Sequence, residues 1–260
     1  MIKYAPNTLN LFKEMELPEQ LKAMKKCGFE MVEILFPYMA PVKTVKELLN
    51  ANSMQVSIID VLPGDIMKMD ISAAIDPKRV DEFRENAQLA LQYAIELDVP
   101  FVNCISGCVG AVENSSREKM LDIYKENIVF TCDLFKGTDK KILIEPVSEF
   151  MFPGYLTGNL HEAAGLIDEL NINNLALQFD FFHIQLLHGN LAGNIKKYFN
   201  RIGYYQIANP PGRHQPGYGE INFPYLIDVL RQLGYDGVIG LEYDPEGSSA
   251  ESFGWLDQVR

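Results

Sequence analysis

Four apolar runs in the second half of the chain close on, or near, a side chain that offers an oxygen: Ile-Leu-Ile-Glu145, Leu-Gln-Phe-Asp180, Tyr-Tyr-Gln206 and Gly-Leu-Glu242. Three carboxylates and an amide oxygen form a hard donor set suited to Mg2+ or Mn2+. One such residue alone is as readily a helix cap or a solvated rim group. Four in succession argue for convergence on a cation, because carboxylates crowded together without one repel each other. His183 follows Asp180 by three residues, so a helical turn there would aim both side chains the same way, toward a metal or a substrate oxygen. Thiolate ligation lacks its pattern: Cys104 and Cys108 have no second pair and read as a buried thiol and a loop residue.

The stretch 209–220, Asn-Pro-Pro-Gly-Arg-His-Gln-Pro-Gly-Tyr-Gly-Glu, is the least ordinary in composition. Its glycines let a ligand approach the backbone, and the planar fork of Arg213 matches a carboxylate. Arg213 and His214 are therefore expected at the substrate. Phe36, Tyr38, Phe182 and Tyr218 are candidates for shaping the pocket. A Walker loop, a Gly-x-Ser-x-Gly elbow and a His-Glu-x-x-His helix are all missing, which demotes nucleophilic hydrolysis.

Elements must position these residues. Apolar runs of strand length recur at 2–6, 31–36, 56–61, 101–106, 141–145, 175–180, 204–208 and 238–243. Segments with helical spacing lie between them at 18–27, 42–50, 77–97, 116–135, 160–170, 191–199 and 223–233, with a weaker one near Ser249. Strands alternating with helices pair in parallel, and eight such units close into a single (β/α)8 TIM barrel spanning 1–260. Gly28, Gly203 and Gly234 are expected as helix stops, and Asn222 with Pro224 as a helix start. An open doubly wound sheet would call for a Gly-rich turn after the first strand, where Asn7-Thr8-Leu9-Asn10 stands instead. In a TIM barrel the site lies at the C-terminal strand ends, where the four oxygen donors fall.

Composition narrows the partners. A net charge of -12 repels a phosphate backbone, so nucleic acid is not expected. The four cysteines are scattered, which suits reduced thiols in the cytoplasm, and no apolar stretch is long enough for a membrane span. A small-molecule substrate is expected, and a homo-oligomer is compatible with the sequence.

With these residues in place, the chain resembles the hydroxypyruvate isomerase family, a branch of the xylose isomerase-like barrels. The likeness rests on Val32-Glu33-Ile-Leu-Phe-Pro37-Tyr38, Pro63-Gly64-Asp65, Ile144-Glu145-Pro146, Asp180-Phe-Phe-His183-Ile-Gln185, Gln206-Ile-Ala, Gly212-Arg213-His214, Gly219-Glu220-Ile-Asn222 and Gly240-Leu-Glu242-Tyr243. The resemblance implies a divalent metal held by Glu145, Asp180, Gln206 and Glu242, with Glu145 and Glu242 as the acid/base pair. It also implies interconversion of hydroxypyruvate and tartronate semialdehyde through an enediolate, with Arg213 on the substrate carboxylate and His183 donating to a substrate oxygen. The chain departs from the family pattern at Asp65-Ile-Met-Lys-Met-Asp70-Ile-Ser, at Gln215 and at Ala5-Pro6-Asn7-Thr8. A 3-epimerase or isomerase of a related hydroxy-acid or ketose is the nearest alternative; an apurinic-site endonuclease and a binding protein without turnover are more distant ones.

Overall fold

Short apolar runs flanked by amphipathic segments leave each strand covered on both faces, and in the computed structural model, which describes residues 1–259, they form one parallel sheet. Its strands are β1 (Lys3–Pro6), β2 (Met31–Glu33), β3 (Gln55–Asp60), β4 (Phe101–Asn103), β5 (Lys141–Ile144), β6 (Leu175–Asp180), β7 (Ile202–Ile207) and β8 (Val238–Leu241). The hydrogen-bonded order runs β1-β8-β7-β6-β5-β4-β3-β2. The ring closes between β1 and β2 through a parallel bridge of Asn7 with Glu33, where the Thr8 N–H donates to the Glu33 carbonyl at 3.1 Å. The expected eight-stranded barrel is what the chain forms.

Helices α1 (Leu17–Lys26), α2 (Val42–Asn52), α3 (Val80–Glu96), α4 (Arg117–Leu134), α5 (Leu160–Leu170), α6 (Phe181–Leu187), α7 (Leu191–Tyr198) and α8 (Phe223–Gln232) surround it. Their starts are chemically specified. Ser116 accepts from the Lys119 N–H at α4, Asn159 from His161 and Glu162 at α5, and Asn222 from Tyr225 at α8, where Pro224 fills an early position. Period-two alternation sorts the strand side chains. Ile142, Ile144, Leu175, Leu177, Phe179, Tyr205 and Ile207 pack outward under the helices, whereas Leu35, Ile58, Leu143, Ala176 and Tyr204 form a separate apolar layer facing inward.

Several details correct or sharpen the sequence reading. Gly203 ends no helix; it lies inside β7, where a methyl group would sit 3.0 Å from both Ala176 Cβ and Leu143 Cδ2. The turn after β6 is helical, α6, and the segment near Ser249 forms a 3-10 helix over Glu251–Gln258. The strands β2, β4 and β8 stop earlier than their apolar runs, so Glu242 stands one residue past β8, as Glu145 does past β5. Among the described residues no helix is long and apolar enough to cross a membrane, and all four cysteines are free, Cys104 buried and Cys108 partly exposed.

Candidate active site

The inward face of the sheet carries its apolar layer low and its polar groups high. Two residues above Leu143 stands Glu145; two and four above Ala176 stand Gln178 and Asp180; two above Tyr204 stands Gln206. Asp180 lies opposite Gln206, and Gln206 opposite Gly240, in the β6–β7–β8 register. The same parity brings Glu33 and Asp60 inward from β2 and β3.

Asp180 ends β6 and also caps α6. Its Oδ1 accepts from the Phe182 N–H at 2.8 Å, while Oδ2 is buried and has no hydrogen-bond partner. His183 Nε2 lies 3.6 Å and Arg213 Nη2 3.8 Å from Oδ2. Candidate ligand atoms of Glu145, Asp180 and His183 all lie within 4.8 Å of one another. Leaving a buried carboxylate oxygen without a hydrogen bond is costly, and a cation removes that cost, so the carboxylates of Glu145 and Asp180 fit a divalent metal. Arg213 reaches in from the loop after β7, pairs with Glu242 Oε1 at 2.8 Å and lies over the Phe182 ring, 5.9 Å from its centroid. Its backbone is left-handed, with φ of 60°, and its carbonyl accepts from the Asp244 N–H at 2.9 Å, which pins the loop to the end of β8.

Gln206 is fully buried and its amide is engaged. Nε2 donates to both oxygens of Glu33 at 3.1 and 3.3 Å, and Oε1 accepts from Gln178 Nε2 at 2.5 Å. A second lone pair on Oε1 is left for another partner. Asn7 Nδ2 donates to Glu33 at 2.9 Å, so one carboxylate organises two amides and ties β1 and β2 to β7.

Electrostatics follow from burial. Desolvation, then Glu242 and Asp180, pushes the Glu145 carboxyl well above the usual range. Burial lifts Asp180 to about 7, against the opposing pull of Arg213. Glu33 and Asp60 are also raised, burial first and Glu242 second. The three carboxylates Glu242, Asp180 and Glu145 hold the Arg213 guanidinium protonated in spite of its burial. His183 moves the other way: burial and Arg213 depress its pKa well below the usual imidazole value. Its Nδ1 faces the Ser148 N–H at 3.3 Å and the Ser148 hydroxyl at 3.1 Å. A backbone N–H only donates, so Nδ1 accepts, and the neutral ring carries its proton on Nε2, which faces the site as a donor.

His214 lies elsewhere. Its Nδ1 donates to the Asp244 carbonyl at 2.9 Å, its backbone pairs with Asn209 at 2.8 and 3.0 Å, and its ring covers Gly212, where a methyl group would collide with it. It shapes the loop that presents Arg213 and does not line the cavity. Phe36 lines the cavity, Tyr38 donates to the Asp60 carbonyl at 2.6 Å, and Tyr218 is exposed. Glu33, Asp60, Gln178 and Asn103, whose Nδ2 donates to Glu145 at 3.4 Å, are among the site residues that sequence reasoning passed over. Glu33, Asp60 and Asn103 are the last residues of β2, β3 and β4, although the apolar runs of the sequence continue past them.

A cavity of about 420 Å³ opens over these groups, with Asp60, Glu145, Gln178, His183, Arg213 and Glu242 on its polar side. Buried carboxylates, a neutral imidazole donor and one guanidinium at the mouth of a barrel can bind a cation, hold an oxygenated ligand and move a proton.

The sequence model of the xylose isomerase-like TIM barrel matches residues 21–259. A 2-oxo-tetronate isomerase of Pectobacterium atrosepticum is 34% identical over 99% of this chain and 97% of its own. Hydroxypyruvate isomerase of Escherichia coli is 31% identical, with both chains covered in full at 100%. Among solved structures, a family 2 AP endonuclease of Brucella melitensis superposes with a TM-score of 0.95 at 32% identity, covering 100% of each chain.

Proposed function

The chain belongs to the xylose isomerase-like TIM barrel family, and on that premise we propose that it is a metal-dependent isomerase of small hydroxy-carbonyl acids, hydroxypyruvate and tartronate semialdehyde being the reference pair. The observation that carries the reading is the buried Oδ2 of Asp180, left without a hydrogen bond among the ends of β5, β6 and β8. Glu145, Asp180, Gln206 and Glu242 would hold Mg2+ or Mn2+. When bound, such a cation supplies positive charge that lowers the cost of an enediolate developing on the substrate.

The protein's own groups do the rest. One of Glu145 and Glu242 takes a proton from the carbon bearing the hydroxyl, and a proton returns to the neighbouring carbon as the hydroxyl proton passes between the two oxygens. Burial that raises the proton affinity of Glu145 strengthens it as a base. His183, with its proton on Nε2, donates to a substrate oxygen, and Arg213 holds the substrate carboxylate at a fixed distance from the reacting carbons. The Brucella protein's name raises DNA cleavage as an alternative. Only His183 of the four histidines joins the carboxylates, and a charge of -12 repels DNA, so isomerisation is the better supported reading.

Loss of an acid/base group typically costs about 10²–10⁴ in rate. Glu145→Gln and Glu242→Gln are therefore expected to lower kcat by that range in steady-state assays with saturating Mn2+. A variant within about threefold of the parent would remove that glutamate from the mechanism. Arg213→Ala is expected to raise KM for acids far more than for neutral ketoses.

A further inference from the structure

The cavity has two unlike sides. Strands β6 to β8 and their loops contribute Gln178, His183, Arg213 and Glu242, whereas the half built on β1 to β5 is apolar apart from Asn10, Asp60 and Glu145. Its wall is made by Leu35, Ile66, Ile71, Val147, Met151 and Phe152, with Tyr155 behind them. Ile71, Val147 and Tyr155 belong to one small apolar cluster that Met151, Phe152 and Ile105 extend, so the wall is a packed surface rather than scattered side chains. Above it, Met67 and Met69 leave 82% and 71% of their surface uncovered. They sit on the 3-10 turn Ile66–Lys68, which Lys68 braces against Asp65 at 2.8 Å, and on the following left-handed residue. Flexible thioethers held bare at the lip of a cavity suit an apolar group of variable shape.

A polyhydroxylated chain is ill suited to that half. Hydroxyls laid on Val147, Met151 and Phe152 would lose water without gaining partners. A three-carbon hydroxy acid would leave the wall untouched, since the cavity of about 420 Å³ has room for on the order of a dozen waters and lies in the range that encloses drug-sized ligands. We propose that this site takes hydroxy-carbonyl substrates whose chain beyond the reacting carbons is apolar, an alkyl or aryl substituent seated on the wall of Ile66, Ile71, Val147, Met151 and Phe152. The inference rests on the isomerase reading for the reacting head and on the cavity wall for the tail.

The test separates the two. A series of 2-oxo-3-hydroxy acids with straight alkyl tails of increasing length, and their polyhydroxylated counterparts, is titrated into the Mn2+-supplemented protein by calorimetry, and turnover of each is followed by proton NMR. Kd is expected to fall roughly three- to fourfold for each added methylene over the first few, with a negative heat-capacity change. The polyhydroxylated counterpart of equal length is expected to bind at least about tenfold more weakly. Met151→Gln is expected to flatten the dependence on alkyl length without lowering the melting temperature by more than a few degrees. A Kd that is level or rises with alkyl length, or a preference for the polyhydroxylated tail, overturns the inference even if turnover is seen. Tightening with alkyl length without turnover of any member keeps the apolar wall and removes the isomerase reading.

Discussion

At the scale of the residue, the site is governed by the cost of burying carboxylates close together. Asp180 shows it most clearly, with one oxygen spent on the α6 cap and the other given no hydrogen bond. Burial raises its pKa to about 7, above the unfolded value of about 3.9. The folded protein therefore binds more protons than the unfolded chain between those values, and stability falls as pH rises through that window. Glu145, Asp60 and Glu33 act in the same direction. EDTA-treated protein is accordingly expected to melt higher at pH 5 than at pH 8, with Asp180→Asn flattening the difference. A Tm that climbs from pH 5 to pH 8 in EDTA would contradict this assignment. The residues that set up this balance were legible where a carboxylate closes a run of obvious strand character, as at Ile144-Glu145 and Phe179-Asp180. Glu33 was harder to read because its apolar run continues past it to Phe36, and the strand stops before that run does.

At the scale of the element, what counts is how closely neighbouring strand ends approach. Gly240 on β8 faces Glu33 and Gln206 across the barrel interior; a methyl group there would overlap a Glu33 carboxylate oxygen and stand 2.9 Å from Gln206 Cγ. Gly240→Ala is expected to cost about 1–3 kcal/mol through overpacking, seen as a fall of several degrees in Tm, and to weaken Mn2+ binding by displacing Gln206. An unchanged Tm with unchanged Mn2+ affinity would show that the Glu33–Gln206 pair yields freely. The alternation of strands and helices was readable because hydrophobic period and capping residues agree, as Asn222 and Pro224 do at α8. Gly203 misled because a glycine after a helical segment usually stops it, and sequence alone does not reveal that Ala176 and Leu143 crowd this position in β7. His214 is similar: its neighbour Arg213 points at the carboxylates, but only the loop's fold turns the imidazole onto Gly212 and the Asp244 carbonyl.

At the scale of the whole molecule, one barrel gathers groups from seven strand ends into a cavity with a polar half, proposed to bind the reacting atoms, and an apolar half, proposed to face the rest of the substrate. The strand order and the inward parity follow from a chain of alternating elements, so the position of the site at one end of the barrel was fixed by topology before any side chain was placed. The apolar half was not readable, since Ile66, Val147, Met151 and Phe152 lie in loops whose directions no periodicity encodes. The net charge of -12 also fits the proposed division of labour, in which the protein would draw in a divalent cation and Arg213 would admit an acid. The most direct test of the central claim is proton NMR of the Mn2+- or Mg2+-reconstituted protein with hydroxypyruvate in D2O, the paramagnetic ion being removed before the spectra are recorded. Solvent deuterium entering the substrate together with formation of the aldehyde, both abolished by EDTA, is the predicted result; the absence of deuterium uptake with this acid and with its longer homologues alike would contradict it.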